Sequence, residues 1–177
     1  LIAAQMFLKL WASRGDAFQN YVIPVVWKTT HFRPAELQEA ENLLTATEPA
    51  KLIGASWLLS TKSHTKARAA LQKLENSESP WIRSLASAQL WRTNIASANL
   101  SEVSRWRNAI TQMPREFRPG PWFVVGQTYA QLSQHADTAL AFLRVSVLFA
   151  DHHDLVDESL YGAGRAVERL GQQDEAA

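Results

Sequence analysis

The sequence predicts an all-α protein made of repeated helical hairpins, with no sheet. Three observations carry this. Apolar residues recur at the three- and four-residue steps of a helix, prolines and capping residues punctuate the chain at helix-length intervals, and two stretches after Pro119 match at a fixed offset.

Residues 1–48 form the less regular part. Leu1 to Ser13 reads as an amphipathic helix ending near Gly15, and Ala17 to Lys28 carries Pro24 inside a Val-Ile-Pro-Val-Val run. Proline there breaks or kinks a helix, because it removes a hydrogen bond and crowds the preceding turn. A short buried strand is the alternative, but one apolar run cannot make a sheet. From Pro34 the punctuation becomes regular. Pro34 opens a helix to about Thr45 and Pro49 another to about Ser60, since proline is tolerated in a first turn, where its missing donor has no partner anyway. Ser63 to Leu74 supplies the return helix. Ser79-Pro80 then caps a helix with Ile82, Leu85, Ala86 and Leu90 on one face. Asn99 with Glu102 forms a capping box for a helix reaching Met113, before Pro114.

The last helices have the clearest period. Ala136, Ala139, Leu140, Leu143 and Val147 are spaced as one helical stripe, and so are Val156, Leu160, Ala163, Val167 and Leu170; both stripes are expected to be buried. Aligning Gly126 with Gly164, 38 positions apart, superposes a large residue four before each glycine, a bulky one three after it and a small one seven after it, then a polar turn and alanines. Each copy is a helix, a tight turn and a second helix. Small residues at Gly54, Ala86, Gly126 and Gly164 are separated by 32, 40 and 38 positions, an irregular array. A helical glycine costs about 1 kcal/mol against alanine, so its recurrence suggests close helix packing at Gly126 and Gly164.

These residues resemble the tetratricopeptide repeat, whose pattern is Trp-x-x-Leu-Gly-x-x-Tyr followed by alanine and phenylalanine in a second helix. Trp122, Gly126, Tyr129 and Phe142 occupy its slots with Val125 for leucine, and Gly164 and Ala176 match again. The spacing exceeds the repeat's roughly 34 residues; Thr138 takes the alanine slot, and the closing proline is absent at Ala150. The longer repeat is similar to those of bacterial cell-envelope assembly and Tol-system proteins. The resemblance implies an α-solenoid of hairpins in a right-handed superhelix over residues 49–177, with the last repeat truncated. The chain starts without methionine and stops where Asp174-Glu-Ala-Ala would open a second helix after Gly171, so a piece of a longer protein is expected.

Composition fits an ordered globular chain, 46% hydrophobic and 20% charged. Seven tryptophans fall mostly within the expected helices, which points to core or inter-repeat packing. The absence of cysteine excludes disulfides and thiolate metal sites and leaves the compartment open between a periplasm or cell envelope and a cytoplasm. No run approaches the ~20 apolar residues of a membrane span. The net charge of +1 conceals an uneven distribution: −1 over residues 1–48, +7 over 49–150 and −5 over 151–177. The basic middle allows a nucleic-acid partner, although solvated helix faces explain it more simply.

Candidate chemistry is sparse. Asp151-His152-His153-Asp154 is the most metal-like stretch, but it lies in a loop between helices, where adjacent histidines point apart. Gly162-Ala163-Gly164 lacks the third glycine and the strand of a dinucleotide fingerprint. Arg14-Gly15-Asp16 is explained by a helix end, and His31, His64 and His135 have no visible acid or nucleophile beside them. We therefore expect no catalytic group, metal or cofactor. The resemblance implies instead a binding surface on the first helix of each hairpin, at Lys51 and Ala55, Arg83 and Ser87, Phe123 and Gln127, and Tyr161 and Arg165. The expected function is a non-catalytic scaffold for a protein or peptide. The alternatives are a metal-dependent domain using the 151–154 loop and a nucleic-acid binder, the less expected partner; self-association through the C-terminal end is a further expectation.

Overall fold

The computed structural model describes residues 26–27 and 32–175. Eight α-helices occupy them: α1 Pro34–Leu43, α2 Glu48–Leu58, α3 His64–Leu74, α4 Pro80–Asn94, α5 Leu100–Gln112, α6 Pro119–Gln131, α7 His135–Leu148 and α8 His153–Glu175, with a 3₁₀ turn at Arg115–Phe117. No strand occurs among the described residues. The first segment, including Pro24, Arg14-Gly15-Asp16 and His31, lies outside them apart from Val26 and Trp27, which are helical and buried.

The helix starts follow from local chemistry. Pro34 is the first residue of α1 and Pro49 the second of α2, and Pro119 and Pro121 lie in the first turn of α6. At α5, the Glu102 amide donates to Asn99 Oδ1 and the Asn99 amide to Glu102 Oε2, both at 3.0 Å. The far end of α5 is closed by Arg118, whose Nε donates to the Met113 carbonyl at 2.8 Å and Nη2 to that of Thr111 at 3.1 Å, a cation at the negative end of a helix.

Two compact units divide the chain, Leu1–Leu90 and Trp91–Ala177, the boundary falling within α4. In the first, α2 packs against both α1 and α3. Gly54 marks the contact of α2 with α1: a Cβ there would lie 2.5 Å from the Ala40 carbonyl oxygen and 2.8 Å from Leu43 Cβ. Leu52, Leu58, Leu71, Leu74 and Leu85 fill the core. Polar ties reach across it, Ser63 Oγ to Glu41 at 2.5 Å and Ser77 Oγ to Glu48 at 2.6 Å.

In the second unit α7 packs against α6 and α8, and α6 also against α5. Phe142 of α7 is the wedge. Cβ atoms at Gly126 of α6 and Gly162 of α8 would meet its ring at 2.7 and 2.6 Å, so two helices approach opposite parts of one aromatic side chain. Gly164 has nothing within 4 Å of its would-be Cβ, which corrects the expected register: the glycine equivalent to Gly126 in packing is Gly162. Arg107 Nη1 donates to Tyr129 Oη at 3.0 Å, joining α5 to α6, and Trp91 stacks on Trp106 with centroids 5.3 Å apart.

Two further expectations are corrected. In α7 the buried residues are Thr138, Ala139, Ala141, Phe142 and Val145, while Leu140, Leu143 and Val147 of the expected stripe are 55%, 39% and 69% exposed. In α8 the buried set is Leu155, Ser159, Ala163 and Ala166, and Leu160 and Val167 face solvent. The helices close on their small residues. Nor does α8 stop at Gly171: it continues to Glu175, with no second helix at Asp174.

The α6–α7 turn closes as a Schellman motif, the Ser133 amide donating to Ala130 O at 3.1 Å and the Gln134 amide to Tyr129 O at 2.9 Å. Ser133 is left-handed, at φ 56. Glycine takes this conformation without the Cβ penalty of about 1–2 kcal/mol, so Ser133→Gly is expected to stabilise by about 1 kcal/mol once the greater freedom of glycine in the unfolded chain is offset, read as a higher urea midpoint at unchanged m-value.

Candidate functional site

The eight expected surface positions meet different fates. In the first unit, Arg83 Nη1 donates to the Ser77 carbonyl at 2.7 Å and Ser87 Oγ to Glu75 at 2.8 Å, so both serve the turn between α3 and α4. Lys51 is half-buried, and Ala55, expected on the exposed face, is fully buried. In the second unit Phe123 is also buried, its ring 5.6 Å from that of Phe142, while Gln127, one turn on along the same face, is half-buried. Phe123 and Ala55 are core residues, which corrects that part of the expected surface.

The remaining three, Gln127, Tyr161 and Arg165, come together. They line a groove of about 370 Å³ between α6, the start of α7 and α8. Gln131, His135, Thr138 and Arg169 complete its polar lining, and Ala130, Phe142, Gly162 and Ala166 its apolar part. The volume is at the lower end of the ~300–1,000 Å³ of ligand clefts. Phe142 thus holds the hairpin together and lines the groove, so the shape of the groove depends on the same wedge as the stability of the unit.

The groove has one sign of charge. Two arginines line it and no aspartate or glutamate does. Among the described residues neither Arg165 nor Arg169 makes a salt bridge. Arg165 instead stands over the Tyr161 ring, its Cζ 5.9 Å from the centroid, and Tyr161 is 69% exposed. Tyr161, Arg165 and Arg169 follow one another at four-residue steps along α8, all exposed. The sequence reading missed Arg169, Gln131 and His135. The first two were within reach, because each lies four residues beyond a residue already assigned, on the same helix face.

The Asp151–Asp154 stretch forms the α7–α8 corner. His152 bonds through its backbone, its amide donating to Phe149 O at 3.0 Å, and α8 starts at His153. Among the described residues no group of three or more histidine, aspartate or glutamate side chains could hold a metal ion. Burial lowers the pKa of His152 and the neighbouring His153 lowers it further, against the opposing effect of Asp151. The neutral imidazole is therefore favoured in the fold. Its contribution to stability should be fully present above the ordinary histidine pKa of ~6.5 and be lost as the pH falls through the depressed value. An NMR titration is expected to place His152 below the ordinary histidine value of ~6.5.

No helix among the described residues is long and apolar enough to cross a membrane. Comparisons with models of known families, with curated proteins and with solved structures find no match to this chain.

Proposed function

We propose that the chain is a non-catalytic protein-interaction module of tetratricopeptide-like helical hairpins, and that its working surface is the groove between α6 and α8. One observation carries this reading: Gln127, Tyr161 and Arg165, chosen from the sequence as binding positions, line one open cleft that Arg169 makes more basic. Tyrosine and arginine are two of the three residue types, with tryptophan, enriched among those that dominate binding energy at interfaces. The right-handed solenoid belongs to the same proposal, supported by the consecutive packing of α6, α7 and α8 around Phe142.

The test compares pull-downs by the intact chain and by Tyr161→Ala. The reading expects a protein recovered by the first and reduced by the second. Identical recovery from both, or none from either, would overturn the assignment of the groove.

Self-association is a second reading, favoured by the exposed Leu140, Leu143 and Val147 of α7 and Leu160 and Val167 of α8, since large apolar surfaces in water mark contact sites. A mass that rises with concentration in sedimentation, and returns to that of a monomer in Leu140→Glu/Val147→Glu, is its expected signature.

A further inference from the structure

The interaction reading leaves the chemistry of the partner open, and the ladder on α8 narrows it. Tyr161, Arg165 and Arg169 are spaced at four-residue steps, about 6 Å along the axis for each step. In an extended peptide, side chains on one face are two residues and about 6.6 Å apart. The two periods match closely enough over three positions for long side chains to absorb the difference. Each guanidinium can hold a carboxylate in a two-bond fork, and no acid lining the groove competes for either. The tyrosine ring offers an apolar face at the end of the series.

We infer that this ladder binds an extended protein segment in which two acidic side chains stand two residues apart, with an aromatic or large apolar residue two positions beyond them against Tyr161. The inference rests on the interaction reading and makes it specific. Two arginines a turn apart favour paired side-chain carboxylates over a single chain terminus, which could occupy one fork only. A nucleic acid is disfavoured by the rest of α8. Asp157, Glu158 and Glu168 are exposed on the same helix, and residues 151–177 carry a net −5, so a polyanion would meet repulsion beyond the two arginines.

The test uses the intact chain and fluorescein-labelled peptides blocked at their C-terminus, Trp-Gly-Glu-Gly-Glu-Gly and its reversed order, read by anisotropy. The better of the two orders should bind roughly tenfold tighter than its glutamine counterpart, as expected for charge-assisted pairing, and several-fold tighter than Trp-Gly-Gly-Glu-Glu-Gly, in which the acids are adjacent. Arg165→Ala/Arg169→Ala should lose the preference for glutamate, and Tyr161→Ala should weaken both the glutamate and the glutamine peptide. All three side chains are exposed, so the variants should keep the helical circular dichroism spectrum of the parent. As a positive control, Arg165→Glu/Arg169→Glu should prefer a lysine version of the peptide. Equal affinity for spaced and adjacent acids, or binding unchanged in the double alanine variant, overturns the inference. So does competition by inorganic phosphate as effective as by the unlabelled peptide, or tighter binding of a thymidine oligonucleotide with a steep loss on adding salt. If the peptides fail while Tyr161→Ala still abolishes capture of a partner, the spacing rule is wrong and the interaction reading stands; if capture also fails, both fall.

Discussion

Phe142→Ala is expected to destabilise the second unit by about 3–5 kcal/mol, the usual result of emptying a buried aromatic site. The ring is 5% exposed and touches the two neighbouring helices: it faces Phe123 of α6 and stands between Gly126 of α6 and Gly162 of α8. Both glycines present bare backbone to the ring, so neither offers a side chain to fill the gap. A loss of this size is a large share of the 5–15 kcal/mol that holds a typical domain together. The groove should go with it, since Phe142 lines its apolar part. A double-mutant cycle makes the assignment specific. Gly126→Ala and Gly162→Ala should each destabilise the parent, because their methyl groups would lie 2.7 and 2.6 Å from the ring. In the Phe142→Ala background the same methyls enter empty space, and each should become neutral or stabilising, with a coupling energy of about 1–3 kcal/mol. Additive effects in chemical denaturation would show that the ring is not the contact.

The helix starts were legible because they are local. Pro34, Pro49 and Pro80 act through their own first turns, and the Asn99–Glu102 box closes within four residues, so no tertiary knowledge is needed. What the sequence left ambiguous was rotation about the helix axis. α7 carries two stripes of helical period, one of Leu140, Leu143 and Val147 and one of Thr138, Ala141, Phe142 and Val145, and periodicity cannot say which is covered. Hydrophobicity favoured the first; close packing selected the second, with its small residues and one ring. The same ambiguity displaced the glycine. Gly162 and Gly164 are two residues apart and therefore about 200° apart around a helix, so matching letters to a repeat pattern chose the one that faces solvent. Phe123 shares a face of α6 with Gln127, one turn away, but its ring is covered by Phe142 of α7. The groove was partly legible through Gln127, Tyr161 and Arg165, and through Gln131 and Arg169 one turn beyond two of them, whereas His135 enters it by the angle at which α7 leaves its turn, a relation between helices that no single-helix pattern contains.

The contrast between Gly54 and Gly164 should give the other large effect, and with opposite signs. Both are helical glycines, and intrinsic propensity alone would have alanine stabilise each by about 1 kcal/mol. At Gly164 nothing lies within 4 Å of the added carbon, so Gly164→Ala should realise most of that gain. At Gly54 the carbon would lie 2.5 Å from the backbone oxygen of Ala40, which cannot rotate away as a side chain can, and 2.8 Å from Leu43 Cβ. To admit it, α1 and α2 must separate along a seam where Ala40 is wholly buried and Leu43 nearly so. Overpacking of this kind costs about 1–3 kcal/mol, enough to outweigh the propensity gain. Thermal melts at matched concentration should therefore place Gly54→Ala below the parent and Gly164→Ala above it, with shifts of roughly 2–4 °C for each kcal/mol in a chain of this size. Gly54→Ala should also leave the second unit unharmed: anisotropy of the acidic peptide in the groove of Tyr161 and Arg165 is expected to be unchanged at temperatures where the variant remains folded. A Gly54→Ala melt at or above that of the parent would mean that α1 and α2 are not in contact at Ala40, and the packing of the first unit would have to be redrawn.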